Sequence, residues 1–276
     1  MSPGFSFITA PCFYLKTLPN LEKMKVLLNI ATHGDEKIGL KVVEAIKKIK
    51  ITNGLLVANV ANKRAFRLGK RFIDQDLNRS FPGSSIGNYE ERLAYKLSPI
   101  INSADVVVDI HSTTSNLKNA IIVTRLNKKI KECIRAISPD YVLLMTVTKK
   151  NALISNAKIG IAFEYGSDND DTSLKNTLVG VKRLLTHLKM INGSCLGGIK
   201  TTPTFFNVYK MIPKPKGAKL DKNTKNCVLV KKGQEYAKIG DKSILADENF
   251  YPILFGERKY KDIFGFAAKK LALSGQ

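Results

Sequence analysis

Between residues 25 and about 190 the chain alternates long apolar runs with amphipathic stretches. KVLLNIAT, LLVANVA, ADVVVDIHS, AIIVT, YVLLMTV and IGIAFEYG predict strands. Their hydrophobicity is nearly continuous, as strands covered on both faces require. Between them Ile38, Val42, Ala45, Ile46 and Ile49 recur at helical spacing. So do Leu174, Leu178, Val181, Leu185 and Leu188, behind a polar DNDDTS that offers helix caps. This rhythm predicts an α/β fold, a mostly parallel sheet flanked by helices. The pattern changes at NGSCLGGIKTTP, after which TFFNVYKMIP, NCVLVKKG and SILADENFYPILFG predict short strands split by proline and glycine. The expected organisation is therefore a peripheral N-terminal extension over 1–23, a main domain over 24–194 and a smaller β-rich C-terminal domain over 195–276.

Composition narrows the classes. With 276 residues, 44% of them hydrophobic, the chain can bury a full core. The formal charge of +22 would suit a polyanion partner, but the lysines are scattered along the whole chain. No RNA-recognition signature, zinc knuckle or arginine-rich arm accompanies them, which argues against nucleic acid; the same field favours a small anionic substrate. Cys12, Cys133, Cys195 and Cys227 form no CxxC pair, so a disulfide framework or cysteine zinc site is not expected, and a reducing cytoplasm is. No apolar run approaches the ~20 residues needed to span a bilayer. The first residues lack a basic leading region and are broken by Pro11, a poor signal peptide. Nothing in the sequence argues against a homo-oligomer.

In open α/β sheets ligands bind beyond the carboxyl ends of the strands. His33 follows VLLNIAT, His111 follows VVVDI and Glu164 closes IGIAF. His33, Glu36 and His111 would give a divalent metal two imidazoles and a carboxylate, with a fourth position open. Gly34 would allow the turn that brings His33 and Glu36 together, and Asp109 lies on the same side of its strand as His111, placed to orient it. Glu36 could equally be a carboxylate in the first turn of a helix, and a single histidine after a strand is commonly a hydrogen-bonded loop residue. His187, on a helix far from any other candidate ligand, is expected to be structural. The polar, arginine-rich stretch 61–83, ANKRAFRLGKRFIDQDLNRSFPG, needs partners and is expected to line a site.

THGDE, RFIDQDLNRSFPG, DIHSTTSN, AKIGIAFEYG and YPILFGERKYKDIFGFA stand in that order in the chain. Together they resemble the aspartoacylase and succinylglutamate desuccinylase family of the zinc carboxypeptidase clan, on its aspartoacylase side. The resemblance covers nearly everything from 25 to 270 and implies a zinc-carboxypeptidase-like fold with a capping C-terminal domain. It implies one Zn2+ per chain on His33, Glu36 and His111, Glu164 as general base and Arg71 polarising the scissile carbonyl. Asn78 and Arg79, helped by Tyr260, would hold the α-carboxylate of a small anionic N-acyl amino acid, while Asp76 would be a structural bridge. One position departs: where aspartoacylases carry an arginine for the substrate's side-chain carboxylate, an ungapped alignment places Ile154. Lys149 or Lys150 would have to compensate, or the pocket takes an uncharged side chain. Two rival functions share these residues: a peptide-trimming metallocarboxypeptidase, and a basic nucleic-acid-binding protein with an inert zinc site.

Overall fold

The computed structural model describes residues 13–16, 24–193, 202–258 and 260–272. Its strands are β1 (Phe13–Lys16), β2 (Lys25–Ile30), β3 (Leu55–Val60), β4 (Val106–His111), β5 (Ala120–Val123), β6 (Tyr141–Met145), β7 (Ile159–Glu164), β8 (Thr204–Pro213), β9 (Ala218–Leu220), β10 (Glu235–Ile239), β11 (Lys242–Leu245), β12 (Tyr251–Ile253) and β13 (Ile263–Leu271). The helices are α1 (Ile38–Ile46), α2 (Lys63–Arg67), α3 (Tyr89–Asn102), α4 (Lys128–Ile137) and α5 (Asp171–His187). All six strands expected before residue 170 form.

Ten strands make one sheet, in the order β1-β3-β2-β4-β7-β5-β6-β8-β13-β12. The block β3-β2-β4-β7 is parallel. At β5 the direction reverses against β7, and β5, β6 and β8 are parallel among themselves. Only the outer strands β1, β13 and β12 add antiparallel pairs. The sheet is thus mostly parallel, as expected. A second, antiparallel sheet β11-β10-β9 forms in the C-terminal part, whose other strands complete the main sheet. Four residues of the expected N-terminal extension form β1; the rest of 1–23, together with Cys12, Cys195 and the 194/195 boundary, lies outside the described residues.

NCVLVKKG does not form the strand expected of it: only Val230 bridges, to Phe250. Cys227 sits at φ 62, outside the extended region, and Val228 and Leu229 are exposed, so no neighbouring strand covers them. SILADENFYPILFG divides into β11 and β12, with Ala246 to Phe250 looping between them.

Alternation sorts the central strands onto two covered faces. Val26, Leu28, Ile30, Val106, Val108 and Ile110 face the cluster shared with α1, α4 and α5. Leu27, Val57 and Val107 face α3 and the 3-10 turn Leu153–Asn156. Asn88 and Glu91 close a reciprocal capping box on α3. Helix α1 has no side-chain cap of its own; Asp168 Oδ1, from the loop after β7, accepts the Lys37 and Ile38 amides at 2.9 and 2.7 Å. That bond ties the loop after β7 to the loop after β2. Among the described residues no helix is long and apolar enough to cross a membrane.

Candidate active site

Three adjacent parallel strands, β2, β4 and β7, end side by side. Asn29, Asp109 and Ala162 lie on one transverse row, and two rows on, on the same face, His111 pairs with Glu164. Since i and i+2 share a face, Asp109, His111 and Glu164 all point away from α1 and α5. After β2 the chain bends through Ala31, at φ 53. Gly34 permits the turn by its lack of a side chain and not by a left-handed φ: a Cβ would lie 2.2 Å from Ala65 C and Phe66 N. Glycine is needed for that close approach, sealed by Gly34 N donating to Arg71 O at 3.0 Å. Glu36 precedes α1, which starts at Ile38, so it is not a first-turn carboxylate.

His33, Glu36 and His111 are buried and converge. His33 Nδ1 is 2.8 Å from Glu36 Oε1, and His111 Nδ1 is 2.9 Å from Glu36 Oε2. One ligating atom from each lies within 4.8 Å of the others. On the far sides of the rings, Asp109 Oδ2 meets His111 Nε2 at 2.8 Å and Asp76 Oδ1 meets His33 Nε2 at 3.1 Å. Asp109 favours a proton on His111 Nε2, which turns the His111 Nδ1 lone pair to the centre of the cluster, while His33 Nε2 is met by both Asp76 and the Arg71 guanidinium, whose Nη2 is 3.0 Å away. Burial disfavours charge on His111, yet Asp109 and Glu36 hold its pKa well above the ordinary histidine value. Burial and Arg71 oppose protonation of His33, but Glu36 and Asp76 outweigh them and raise it. Burial pushes Glu36 up, but the two imidazoles hold it well below the usual carboxylate range. The cluster therefore attracts positive charge, and two nitrogens with one carboxylate form a donor set that fits zinc.

Beneath it runs a buried polar row that joins the expected Asp109 to Asn29, Asn59 and Thr32, three residues the sequence pattern did not single out. Asn59 Nδ2 donates to Asn29 Oδ1, and Asn29 Nδ2 donates to Asp109 Oδ1, each at 2.8 Å. Thr32 Oγ1 donates to the same Asp109 oxygen at 2.7 Å. An asparagine at the same place in KVLLNI and LLVANV, two otherwise apolar strands, was the available signal. Glu164 stands beside the cluster with Oε2 buried and without a hydrogen-bond partner among the described residues. Burial pushes its pKa up to about 7, with Glu36 and Glu257 adding and the histidines opposing.

The stretch 70–79 supplies the other expected residues. Arg71 Nη1 donates to Glu36 Oε1 at 3.2 Å, and its Nη2 lies 3.6 Å from Asp76 Oδ2. Asp76 Oδ1 also accepts the Asn78 amide at 2.8 Å, so the expected bridge joins both a histidine and the backbone. Asn78 Oδ1 accepts the Leu153 amide at 3.0 Å, coupling this loop to the turn that carries Ile154. The loop is held from below by Glu90, which is buried and accepts Asn62 Nδ2 and the amides of Ile73, Asp74 and Gln75 at 2.7–3.2 Å.

From the C-terminal part, Tyr260 places its ring 5.9 Å from the Arg71 guanidinium carbon. Glu257 carries this segment: it accepts Thr113 Oγ1, Thr114 N and Thr114 Oγ1, each at 2.7 Å. Carboxylates satisfied by distant loops leave no local signature, which is why Glu90 and Glu257 were not foreseen. One cavity of about 70 Å³ is lined by His33, Glu36, His111 and Glu164 and by Arg71, Asn78, Arg79 and Tyr260. Ile154 lines it too, whereas Lys149 and Lys150 are exposed and off its wall. His187 is exposed at the end of α5, away from this cavity.

The family model of the succinylglutamate desuccinylase/aspartoacylase catalytic domain matches residues 22–188. A probable aspartoacylase of Nostoc sp. is 30% identical over 155 residues, 49% of this chain and 53% of the relative, so about half the relative's length is spanned. A probable aspartoacylase of Acaryochloris marina is 26% identical over 218 residues, 70% of this chain and 73% of that one. Among solved structures, murine aminoacylase 3 superposes with a TM-score of 0.75 at 18% identity, covering 92% of this chain and 97% of that chain. The last likeness is one of fold.

Proposed function

We propose, from the premise that the chain belongs to the succinylglutamate desuccinylase/aspartoacylase family, that it is a zinc-dependent amidohydrolase releasing a carboxylic acid and a free amino acid from a small N-acyl amino acid. The observation that carries the reading is the meeting of His33, Glu36, His111 and Glu164 at neighbouring strand ends inside one cavity. In this reading the catalytic part is 24–194, and 195–276 contributes the roof.

His33, Glu36 and His111 would hold one zinc ion, which when bound supplies Lewis acidity to water and to a carbonyl oxygen. Glu164 takes the proton of the attacking water on its buried carboxylate and delivers it to the departing nitrogen. Its pKa near 7 suits both halves of that transfer. Arg71 faces the negative charge that grows on the carbonyl oxygen, a contribution of about 3–4 kcal/mol for a well-placed donor. Asn78 and Arg79 take the α-carboxylate, for which a planar guanidinium fork is suited. Tyr260 closes over Arg71 and limits the room for a longer chain.

The small, roofed cavity favours a small acylated amino acid over a peptide. Release of free amino acid from N-acetyl, N-succinyl and peptide substrates, before and after zinc is stripped and restored, tests the reading. Zinc-dependent turnover confined to acylated amino acids is expected. Faster cleavage of peptides would instead make it a carboxypeptidase, and no turnover of any substrate would refute a hydrolase.

A further inference from the structure

Charge within the cavity limits what it can take. Its wall holds four carboxylates, Glu36, Asp76, Glu164 and Glu257, and two guanidiniums, Arg71 and Arg79. No lysine of the described residues lines it. Arg71 pairs with Glu36 and Asp76, and Arg79 is the wall's second cation. The wall's excess of two carboxylates is what one divalent cation offsets, and the buried Asp109 carboxylate behind His111 adds further negative charge. One substrate carboxylate can share Arg79 and Asn78. A second would enter a buried site with no cation left to meet it, and unpaired buried charge is strongly disfavoured.

The remaining wall agrees with this count. Ile122, Met145, Ile154, Leu254 and Phe266 line the cavity. They come from β5, from β6, from the 3-10 turn Leu153–Asn156, from the segment after β12 and from β13. Met145, Ile154, Leu254 and Phe266 are buried, and Ile122 is half-buried. The Ile154 turn is pinned to the loop of Asn78 and Arg79 by the Asn78–Leu153 bond. The apolar wall is therefore held in register with the carboxylate-holding residues. Cationic side chains fare no better there, because both Glu257 oxygens are already engaged by Thr113 and Thr114.

We infer that the substrate carries a single carboxylate, and that its side chain and acyl group are uncharged and largely apolar, received by the wall that Ile154, Ile122 and Met145 form. This rests on the amidohydrolase reading above and adds to it the exclusion of substrates with more than one carboxylate, such as N-acetylaspartate with two and N-succinylglutamate with three.

Two measurements separate the inference from its premise. The first compares kcat/KM of the zinc-loaded protein for N-acetyl-leucine, N-acetyl-methionine, N-acetyl-aspartate, N-succinyl-glutamate and Nα-acetyl-lysine. The neutral pair is expected to lead the charged substrates by at least about a hundredfold. A charged substrate that equals or exceeds them overturns the inference and leaves the amidohydrolase standing. The second is calorimetric binding of the same compounds to zinc-loaded Glu164→Gln protein, which needs no turnover. Tighter binding of N-acetyl-leucine than of N-acetyl-aspartate is expected; the reverse order, or binding of none, overturns the inference even if nothing is hydrolysed. Ile154→Arg should shift the aspartate-to-leucine ratio at least about tenfold toward aspartate. If that variant does not fold, Ile122→Arg at the half-buried position carries the same expectation, and an unchanged ratio in a folded variant refutes the assignment of the wall.

Discussion

Replacing Glu164 with glutamine should remove activity and, in metal-free protein, raise stability in a pH-dependent way. Burial lifts the Glu164 carboxyl from its ordinary 4.5 to about 7. The folded state then holds a proton that the unfolded chain has already released. That preference is fully favourable below pH 4.5 and is lost as pH rises through about 7. At pH 8 the folded chain must ionise a buried group, a destabilisation of about 3 kcal/mol from the gap between the two pKa values. Glutamine has nearly the same shape and cannot ionise. The gain of Glu164→Gln over the parent should thus grow from well under ~1 kcal/mol at pH 4 to about 3 kcal/mol at pH 8. For a chain of this size that corresponds to a rise in melting temperature of roughly 6–12 °C at pH 8. Differential scanning calorimetry of the zinc-stripped proteins across pH 4–8 reads it directly. A pH-independent difference would refute the burial argument. With zinc restored, stoichiometry should stay at one per chain while turnover falls by at least about a hundredfold, and retained turnover would refute Glu164 as the base.

Asp109→Asn keeps the shape beside His111 but withdraws the charge that orients its Nε2 proton; zinc affinity should fall about 10–100-fold in a chelator competition, and an unchanged affinity would mean the 2.8 Å contact is incidental. Glu257→Ala strands three donors of Thr113 and Thr114, so stability should fall by about 3 kcal/mol in urea and KM should rise as Tyr260 is released, with Glu257→Gln restoring part of both. Gly34→Ala forces a methyl to within 2.2 Å of the α2 backbone; a loss of at least about 2 kcal/mol and weaker zinc binding are expected, and a neutral result would show that the loop yields.

The parallel core was legible because burial on both faces forces unbroken apolar runs, and β2, β4 and β7 carry them. The site was legible to the extent that its residues sit where those runs stop: His33, His111 and Glu164 each mark a strand end. Arg71, Asn78, Arg79 and Tyr260 were placed by resemblance, and their gathering in one cavity depends on contacts that no local pattern encodes. The roof is the plainest case. Tyr260 lies over Arg71 in a segment whose Glu257 is clasped by a pair of threonines 143–144 residues earlier. The misread strand at NCVLVKKG has the opposite cause: its apolar residues suggested pairing, while a left-handed Cys227 and missing neighbours prevent it.

The same geometry explains why a stable sheet tolerates so polar a centre. Three rows of the central strands are apolar on both faces, and the polar residues begin only at the row of Asn59, Asn29 and Asp109. There each side chain meets a partner across the sheet, so burial leaves no amide or carboxylate unmatched within that row. Two rows further, on the same face, compensation stops: Glu164 keeps an unpartnered oxygen, and two imidazoles crowd a single carboxylate. A local arrangement that lowers stability in an otherwise consistent fold marks the place where chemistry, not packing, selects the residues. Cation binding should therefore stabilise the folded chain, since it replaces protons the histidines would otherwise have to hold. Stability and zinc occupancy are then two readings of one equilibrium. In the proposed reading, the charge deficit at the strand ends is what a divalent cation would fill.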